Sequence, residues 1–460
     1  MSDMTSFRVS SSNARAASDR TYSDASGFGK VVLYIFLISL IISFSFKVGG
    51  LRLTPYRIVL LVMFVPLLVS WVAGLCGRFR IADFALVGFT IWMYMSYLVN
   101  QGLDQVELAT ITMIETLGPY LLARRYVRSR ENFLVVGKIL FGILLLFTLV
   151  VFLENTRGSR LFEKVYSVFG SAFSLGTERR MGLIRSSGPF EHPILYGVFC
   201  AIPFAILYHM PRQGQDGPAG LRKAWVSLVT TFYSLSMGAF LNVFVQVGLI
   251  AWNWIFRRFS ARWWWLTGLT IFGYVFVDVF SNRTPFEVFI TYASFNYGNA
   301  YMRVVIFIEG MVSVRANPLF GFGYCCWIRP DWMWSIPSVD NFWLLITMRH
   351  GIPAFLMVLL AYVSVIIGLI RAQATAEIDA NIRNALVFAL IGLAVSIATV
   401  HLWGATYSFM MFILGSAAWM SDARSSDTAA TNRTEDGPAD QAAADPVSPP
   451  NRYTRFPHKK

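Results

Sequence analysis

Two stretches place reactive side chains in an otherwise oily chain. The first, RSSGPFEHPILYG (185–197), gathers Arg185, Glu191 and His192 around a Gly188-Pro189 turn, with Pro193 placed to open a helix. The second, SVDNFWLLITMRHGIPAF (338–355), sets Asp340 beside Asn341 ahead of an apolar run that ends in Arg349 and His350. A carboxylate at that edge either caps the following helix or takes a proton, and both readings stay open for Asp340. Desolvation raises a carboxylate's proton affinity, which suits a general base. His192 is either a cap or a site residue, since charge at a membrane edge is costly unless paired. Arg349 and His350 either complement a helix C-terminus or meet an anion.

Arginines surround both stretches. Residues 154–192 carry Arg157, Arg160, Lys164, Arg179, Arg180 and Arg185, and residues 281–350 carry Arg283, Arg303, Arg315, Arg329 and Arg349. Guanidinium binds phosphate in a bidentate fork, so these form either a cationic bowl for an anionic headgroup or ordinary solvated charge on long loops. The outer carboxylates are scattered, which points to chemistry without a metal or cofactor. Cys76, Cys200, Cys325 and Cys326 lack metal-ligand spacing, and a bridge between the adjacent pair is strained. Trp327, Trp332, Trp334 and Trp343 crowd the same region, as interfacial anchors or as platforms for sugar rings.

The elements that must hold these residues follow from composition. Of 460 residues, 55% are hydrophobic and 14% charged, against roughly 25% charged in soluble domains. Apolar runs recur at about the 17–25 residues that cross a hydrocarbon core, and runs such as VVLYIFLISLIISFSF lack the alternation of barrel strands. The fold class read from this is an all-α polytopic membrane protein of about twelve spans: 31–47, 56–75, 81–99, 106–123, 133–153, 193–210, 224–237, 239–256, 263–280, 351–370, 385–401 and 404–420. The polar leader 1–29 and tail 421–460 read as disordered, leaving 30–420 as the membrane domain. The first apolar run has no clean cleavage site and reads as a retained span.

A net charge of +13 finds its partner in the lipid bilayer rather than in nucleic acid. Basic clusters at 124–130, 212–223, 257–262 and 371–383 place those loops, with both termini, in the cytoplasm. Arg78 and Arg80 are read in a loop of parity opposite to that of Arg124. Glu107 and Glu115, eight residues apart on one helix, are expected to pair with Arg57 or Lys138.

Arg-x-x-Gly-x-Phe-x-His-Pro, Arg185 to Pro193, resembles the signature of the O-antigen ligase and Wzy-type polysaccharide polymerase family. Three further stretches follow in the family's order. SLSMGA (234–239) lies where the family often has Ser-Arg-Gly, YMRVVIFIEGMVSVRANPLFGFGY (301–324) resembles the segment inside its large loop, and 338–355 resembles the loop's closing motif. Met237 stands where that arginine is usual, Asp340-Asn341 where ligases show His-Asn, and Ile194 where an asparagine is common. These departures are closer to the exopolysaccharide polymerase branch.

The resemblance implies a GT-C-like inner-membrane enzyme with a large periplasmic loop between helices nine and ten. It would join undecaprenyl-diphosphate-linked oligosaccharide units, with a flippase and chain-length or export proteins as further partners. In that picture Arg185 and Arg303 hold the diphosphate and Asp340 is the base. Arg179, Arg180, Glu191, His192, Asn341, Arg329 and Arg349 line the substrate. A ligase is the alternative, and a flippase or transporter the second, though no matched mid-span breaks mark two halves.

Overall fold

The computed structural model describes residues 27–48, 51–168, 178–210, 219–293, 297–324, 327, 329–333, 338–374 and 376–421. Most of the leader, the tail beyond 421, Cys325, Cys326 and Trp334 lie outside the described residues. The described chain is mostly helical. Helix α1 (Gly27–Ser39) is followed by an antiparallel pair, β1 (Phe46–Val48) and β2 (Leu51–Leu53), with Phe46 opposite Leu53. The first apolar run was expected to stay helical to 47. It stops earlier, where the FKV and LRL segments alternate and pair as strands.

Then come α2 (Pro55–Val72), α3 (Ile81–Gln101), α4 (Val106–Tyr126), α5 (Arg130–Arg157) and α6 (Leu161–Ser167). A second small pair, β3 (Arg179–Arg180) and β4 (Leu183–Ile184), precedes α7 (Pro193–Ala201) and α8 (Phe204–Tyr208). The sixth predicted span is thus interrupted at Pro203, which has no N–H to continue the helical ladder. The remainder is α9 (Ala219–Phe232), α10 (Met237–Ile255), α11 (Arg262–Phe280), α12 (Pro285–Tyr292), α13 (Tyr297–Ala316), α14 (Phe342–Arg371), α15 (Glu377–Ser396) and α16 (Gly404–Ser416).

Among the described residues, seven helical stretches are long and apolar enough to cross a membrane: α2, α3 with α4, α5, α10, α11, α14 and α15. The chain is a polytopic helical protein by that measure. None of the apolar window of α11 is buried inside the protein, and Trp264 and Phe280 on it are 80% and 75% exposed. Hydrocarbon accommodates such a surface and water does not.

Helices α3 and α4 fold back as a hairpin. Tyr94 bonds to Thr110 near the turn, and Tyr120 donates to Asp83 Oδ1 at 2.6 Å near the open end. At that open end Arg124 lies 3.4 Å from Asp83 and donates to the Arg78 carbonyl at 2.6 Å. The loops bearing Arg78 and Arg124 therefore share one end of the bundle, which corrects the opposite parity read for them. Arg130 grips Asp379 with two bonds of 2.8 and 2.7 Å, and Arg383 donates to the Ala372 carbonyl at 3.1 Å. Glu115 pairs with Arg57 at 2.8 Å as expected, whereas Glu107 is exposed.

Helix α14 is broken. Gly351 sits at φ 82°, ψ 174°, outside helical geometry, with Pro353 just beyond. A break within an apolar span frees backbone groups that lipid cannot satisfy. The NPLFGFG segment satisfies them. Phe322 and Gly323 N–H donate to the Met348 and Arg349 carbonyls at 3.0 and 2.8 Å, and Ile352 N–H donates to the Pro318 carbonyl at 2.8 Å. From α3, the Trp92 indole donates to the Leu319 and His350 carbonyls at 3.1 and 3.0 Å, and the Ser96 hydroxyl donates to the Phe320 carbonyl at 2.6 Å. The approach is close enough to need bare backbone: a Cβ on Gly351 would stand 1.9 Å from the Leu319 carbonyl oxygen, and one on Gly321 2.3 Å from that of Met348. Replacing Gly351 with Ala is expected to cost at least about 2 kcal/mol. Gly142→Ala, where nothing lies within 4 Å, is expected to stay within about 0.5 kcal/mol. Thermal unfolding of both variants in detergent checks the contrast.

Candidate active site

The arginines of the 178–185 stretch are positioned by a hairpin turn, and two helix starts lie beside them. Met181 (φ 54°) and Gly182 (φ 78°) connect β3 to β4, the left-handed pair that a two-residue hairpin loop requires. The hairpin carries Arg180 and delivers Arg185, whose N–H donates to the Glu178 carbonyl at 3.0 Å. The buried Arg185 guanidinium donates to Glu178 Oε2 at 2.7 Å and to the Ser234 carbonyl at 3.2 Å. Arg180 donates to the Leu235 carbonyl at 2.9 Å and lies 3.6 Å from Glu178. SLSMGA thus lends its carbonyls to arginines from another loop. Leu235, at φ 46°, turns those carbonyls between α9 and α10.

Two helix N-termini bring the other groups. His192 caps α7, its Nδ1 accepting from the Ile194 N–H at 3.1 Å, so the proton of the neutral ring sits on Nε2. Asn341 caps α14, its Oδ1 accepting from the Leu344 N–H at 3.0 Å. The capping reading of Asp340 is therefore corrected: its neighbour does that work, because Asn341 and not Asp340 holds the extended backbone immediately before the helix. Asp340 is half-buried, and its charge acts on Arg303 and His192.

These groups act on one another electrostatically. Burial lowers the Arg303 pKa, the charges of Arg180 and Arg185 lower it further, and Asp340 opposes them. Burial also lowers the His192 pKa and Arg185 adds to this, while Asp340 and Glu178 pull the other way. Burial raises Glu178, but the hydrogen bond and charge of Arg185, with Arg180 behind them, hold it below the ordinary carboxylate value. The site is a set of three guanidiniums with one carboxylate, Glu178, bound by Arg180 and Arg185 and a second, Asp340, acting on Arg303 and His192.

Next to it lies a cavity of about 390 Å³, lined among others by Arg57, Glu115, Glu191, Arg349, His401 and Trp403. Glu191 lies 3.7 Å from Arg52 and accepts from the Trp403 indole at 2.8 Å. The His192 ring is 6.2 Å from that of Trp403, which makes site and cavity neighbours.

Of the residues expected from the sequence, the fold assembles Asp340, Arg185, Arg303, Arg180 and His192. Asn341 caps α14 with its side chain, and Glu191 and Arg349 belong to the cavity. Arg179 is exposed on β3, and Arg329 places its guanidinium 5.7 Å from the Trp327 ring. Trp327 itself is core, 8% exposed, and Trp343 packs on the main core and donates to the Ala394 carbonyl at 3.1 Å. Sequence reading missed Glu178, an isolated acid before two arginines, and His401, which no pattern marks. Among the described residues no three His, Cys, Asp or Glu converge as metal ligands. Neither the protein-family models nor the curated proteins give a match to this chain.

The lowered His192 pKa carries a sign. Below the ordinary value of 6.5 the unfolded chain takes up a proton that the folded chain refuses, so stability rises with pH through that window. Melting temperature is expected to climb between pH 5 and pH 7 in the parent protein and to climb less steeply in His192→Gln.

Proposed function

We propose that the chain is a glycosyltransferase of the bacterial inner membrane that polymerises undecaprenyl-diphosphate-linked oligosaccharide units on the periplasmic face. The observation that carries this reading is a cluster of guanidiniums at one end of an apolar bundle, Arg303 acting on the half-buried Asp340 and on Arg180 and Arg185, which are themselves paired with Glu178. Transfer from a lipid diphosphate makes two demands. Charge develops on the departing diphosphate, and fixed guanidiniums stabilise it electrostatically. The incoming sugar hydroxyl must lose its proton, and Asp340 receives it. The hydroxyl oxygen bonds to the anomeric carbon as that carbon's bond to the diphosphate oxygen breaks. The electron pair leaves with the carrier lipid, and the resemblance implies inversion at the carbon.

Charge topology supports the orientation. Leu108, at the cavity, and Arg124, in the basic cluster, are sixteen residues apart on α4, about 24 Å along the helix axis. The positive-inside bias then sets Arg78, Arg124 and Arg130 in the cytoplasm and the site outside. In this reading α1, α7 with α8, α9 and α16 join the longer helices in a plan of twelve spans with both termini cytoplasmic. α12, α13 and the start of α14 form the large periplasmic loop between the ninth and tenth.

Asp340→Asn keeps the helix cap, since Asn341 provides it, and removes the base. It is expected to lower the transfer rate by about 100-fold or more, with Arg303→Gln similarly impaired. The measurement is polymer length on gels from cells carrying each variant in place of the parent. Normal chains from Asp340→Asn would remove the base assignment. In a deletion strain, single units on the outer face mean polymerase. Full-length polymer kept on the carrier would mean ligase, and units trapped inside would mean transporter.

A further inference from the structure

The described chain leaves the bundle on a basic surface, and the sequence that follows is acidic. Helix α16 runs along α4 so closely that a Cβ on Gly415 would stand 2.3 Å from the Tyr120 carbonyl oxygen and 3.1 Å from the Ala123 Cβ. Ser421 then approaches α14, its Oγ 3.0 Å from where a Cβ on Gly368 would lie. The exit therefore falls between the ends of α4 and α14, next to Arg124 and Arg125 and one helical turn from Arg371.

The loops at this end, 78–83, 124–131 and 371–383, hold eight arginines against four carboxylates, so the face is cationic. Two of those carboxylates are already engaged, Asp83 by Arg124 and Asp379 by Arg130. Arg78 and Arg371 are exposed, and Arg125 is half-buried with its guanidinium 5.8 Å from the Tyr126 ring. Past Ser421 the sign reverses. Residues 422–445 carry Asp422, Asp427, Glu435, Asp436, Asp440 and Asp445 against Arg424 and Arg433, with no bulky apolar side chain among them. Such a stretch is recognised by charge or not at all. From Ser421 to Glu435 the chain can reach up to about 50 Å, several times the roughly 8–10 Å between packed helices. A tether makes the encounter intramolecular, which lets exposed ion pairs that are weak one by one act together.

We propose that the acidic segment 435–445 docks, within the same molecule, on the arginine face around Arg78, Arg125 and Arg371. Anionic lipid headgroups suit the same face, but the segment is tethered at its edge and concentrates its charge in a short span. The assignment stands on the charge of the two surfaces and on the exit at Ser421, so it survives if glycosyl transfer is disproved.

The full-length protein carrying p-benzoylphenylalanine at Ala439 is irradiated in nanodiscs of phosphatidylcholine and phosphatidylglycerol, and its cross-links are mapped by mass spectrometry. Cross-links to 78–83, 124–131 or 371–383 of the same chain are expected. They are expected to fall about tenfold when Glu435→Gln, Asp436→Asn and Asp440→Asn are combined, the loss of three exposed ion pairs. They are expected to fall likewise near 1 M salt, where screening acts beyond about 3 Å. Those three substitutions touch no residue of the described fold, so they test docking without disturbing folding. Arg125→Glu with Arg371→Glu is expected to lose the cross-links, and adding Glu435→Lys and Asp436→Lys to restore them. An unchanged pattern in the neutralised segment overturns the proposal. So do cross-links to lipid alone, which give the face to anionic headgroups, and cross-links between copies, which give it to a neighbouring molecule.

Discussion

The structure depends on one constraint: a helix broken inside an apolar bundle must have its freed backbone groups satisfied by protein. At Gly351 the carbonyls of Met348 and Arg349 are taken by N–H groups of the 318–323 segment, and the segment's own carbonyls are taken by Trp92, Ser96 and Ile352. This exchange ties the stretch before α14 to α3. It also fixes the first nine residues of α14, Phe342 to His350, with Asn341 capping them and Arg349 next to their end. The 318–323 segment is held here because its backbone completes another helix's hydrogen bonding.

That arrangement gives Asp340 its character. Asn341 serves the helix, the N–H of Phe342 goes to the carbonyls of Ile397 and Val400 at 2.9 and 3.1 Å, and Asp340 has no part in the cap. Arg185 and Arg180 are held by Glu178 and by carbonyls of the turn after α9. Arginine pinned in this way is preorganised, which is what stabilising a charge that develops during reaction demands. Glu178 offsets part of the cationic repulsion and still leaves an excess of positive charge for an anionic ligand.

Polarity is divided between the ends of the bundle. At the Arg78–Arg130 end, Arg124, Arg128 and Arg130 are spent on backbone carbonyls and on Asp83 and Asp379. Those at the opposite end are likewise met by carboxylates, Glu115, Glu178 and Glu191, but there Arg57 and Arg349 also line a cavity. The same residue type therefore staples one end and lines a cavity at the other.

Helical class and the long apolar stretches were legible in the sequence, because hydrocarbon imposes a length on each span. Gly321, Gly323 and Gly351 stood out as glycines, but their reason did not, since it is the approach of two segments thirty residues apart. Which of Asp340 and Asn341 caps the helix, which carboxylate holds Arg185, and that His401 faces Arg349's cavity were decided only by tertiary structure. Each is a contact between elements distant in sequence, and residue type and spacing along one chain carry no record of such distances.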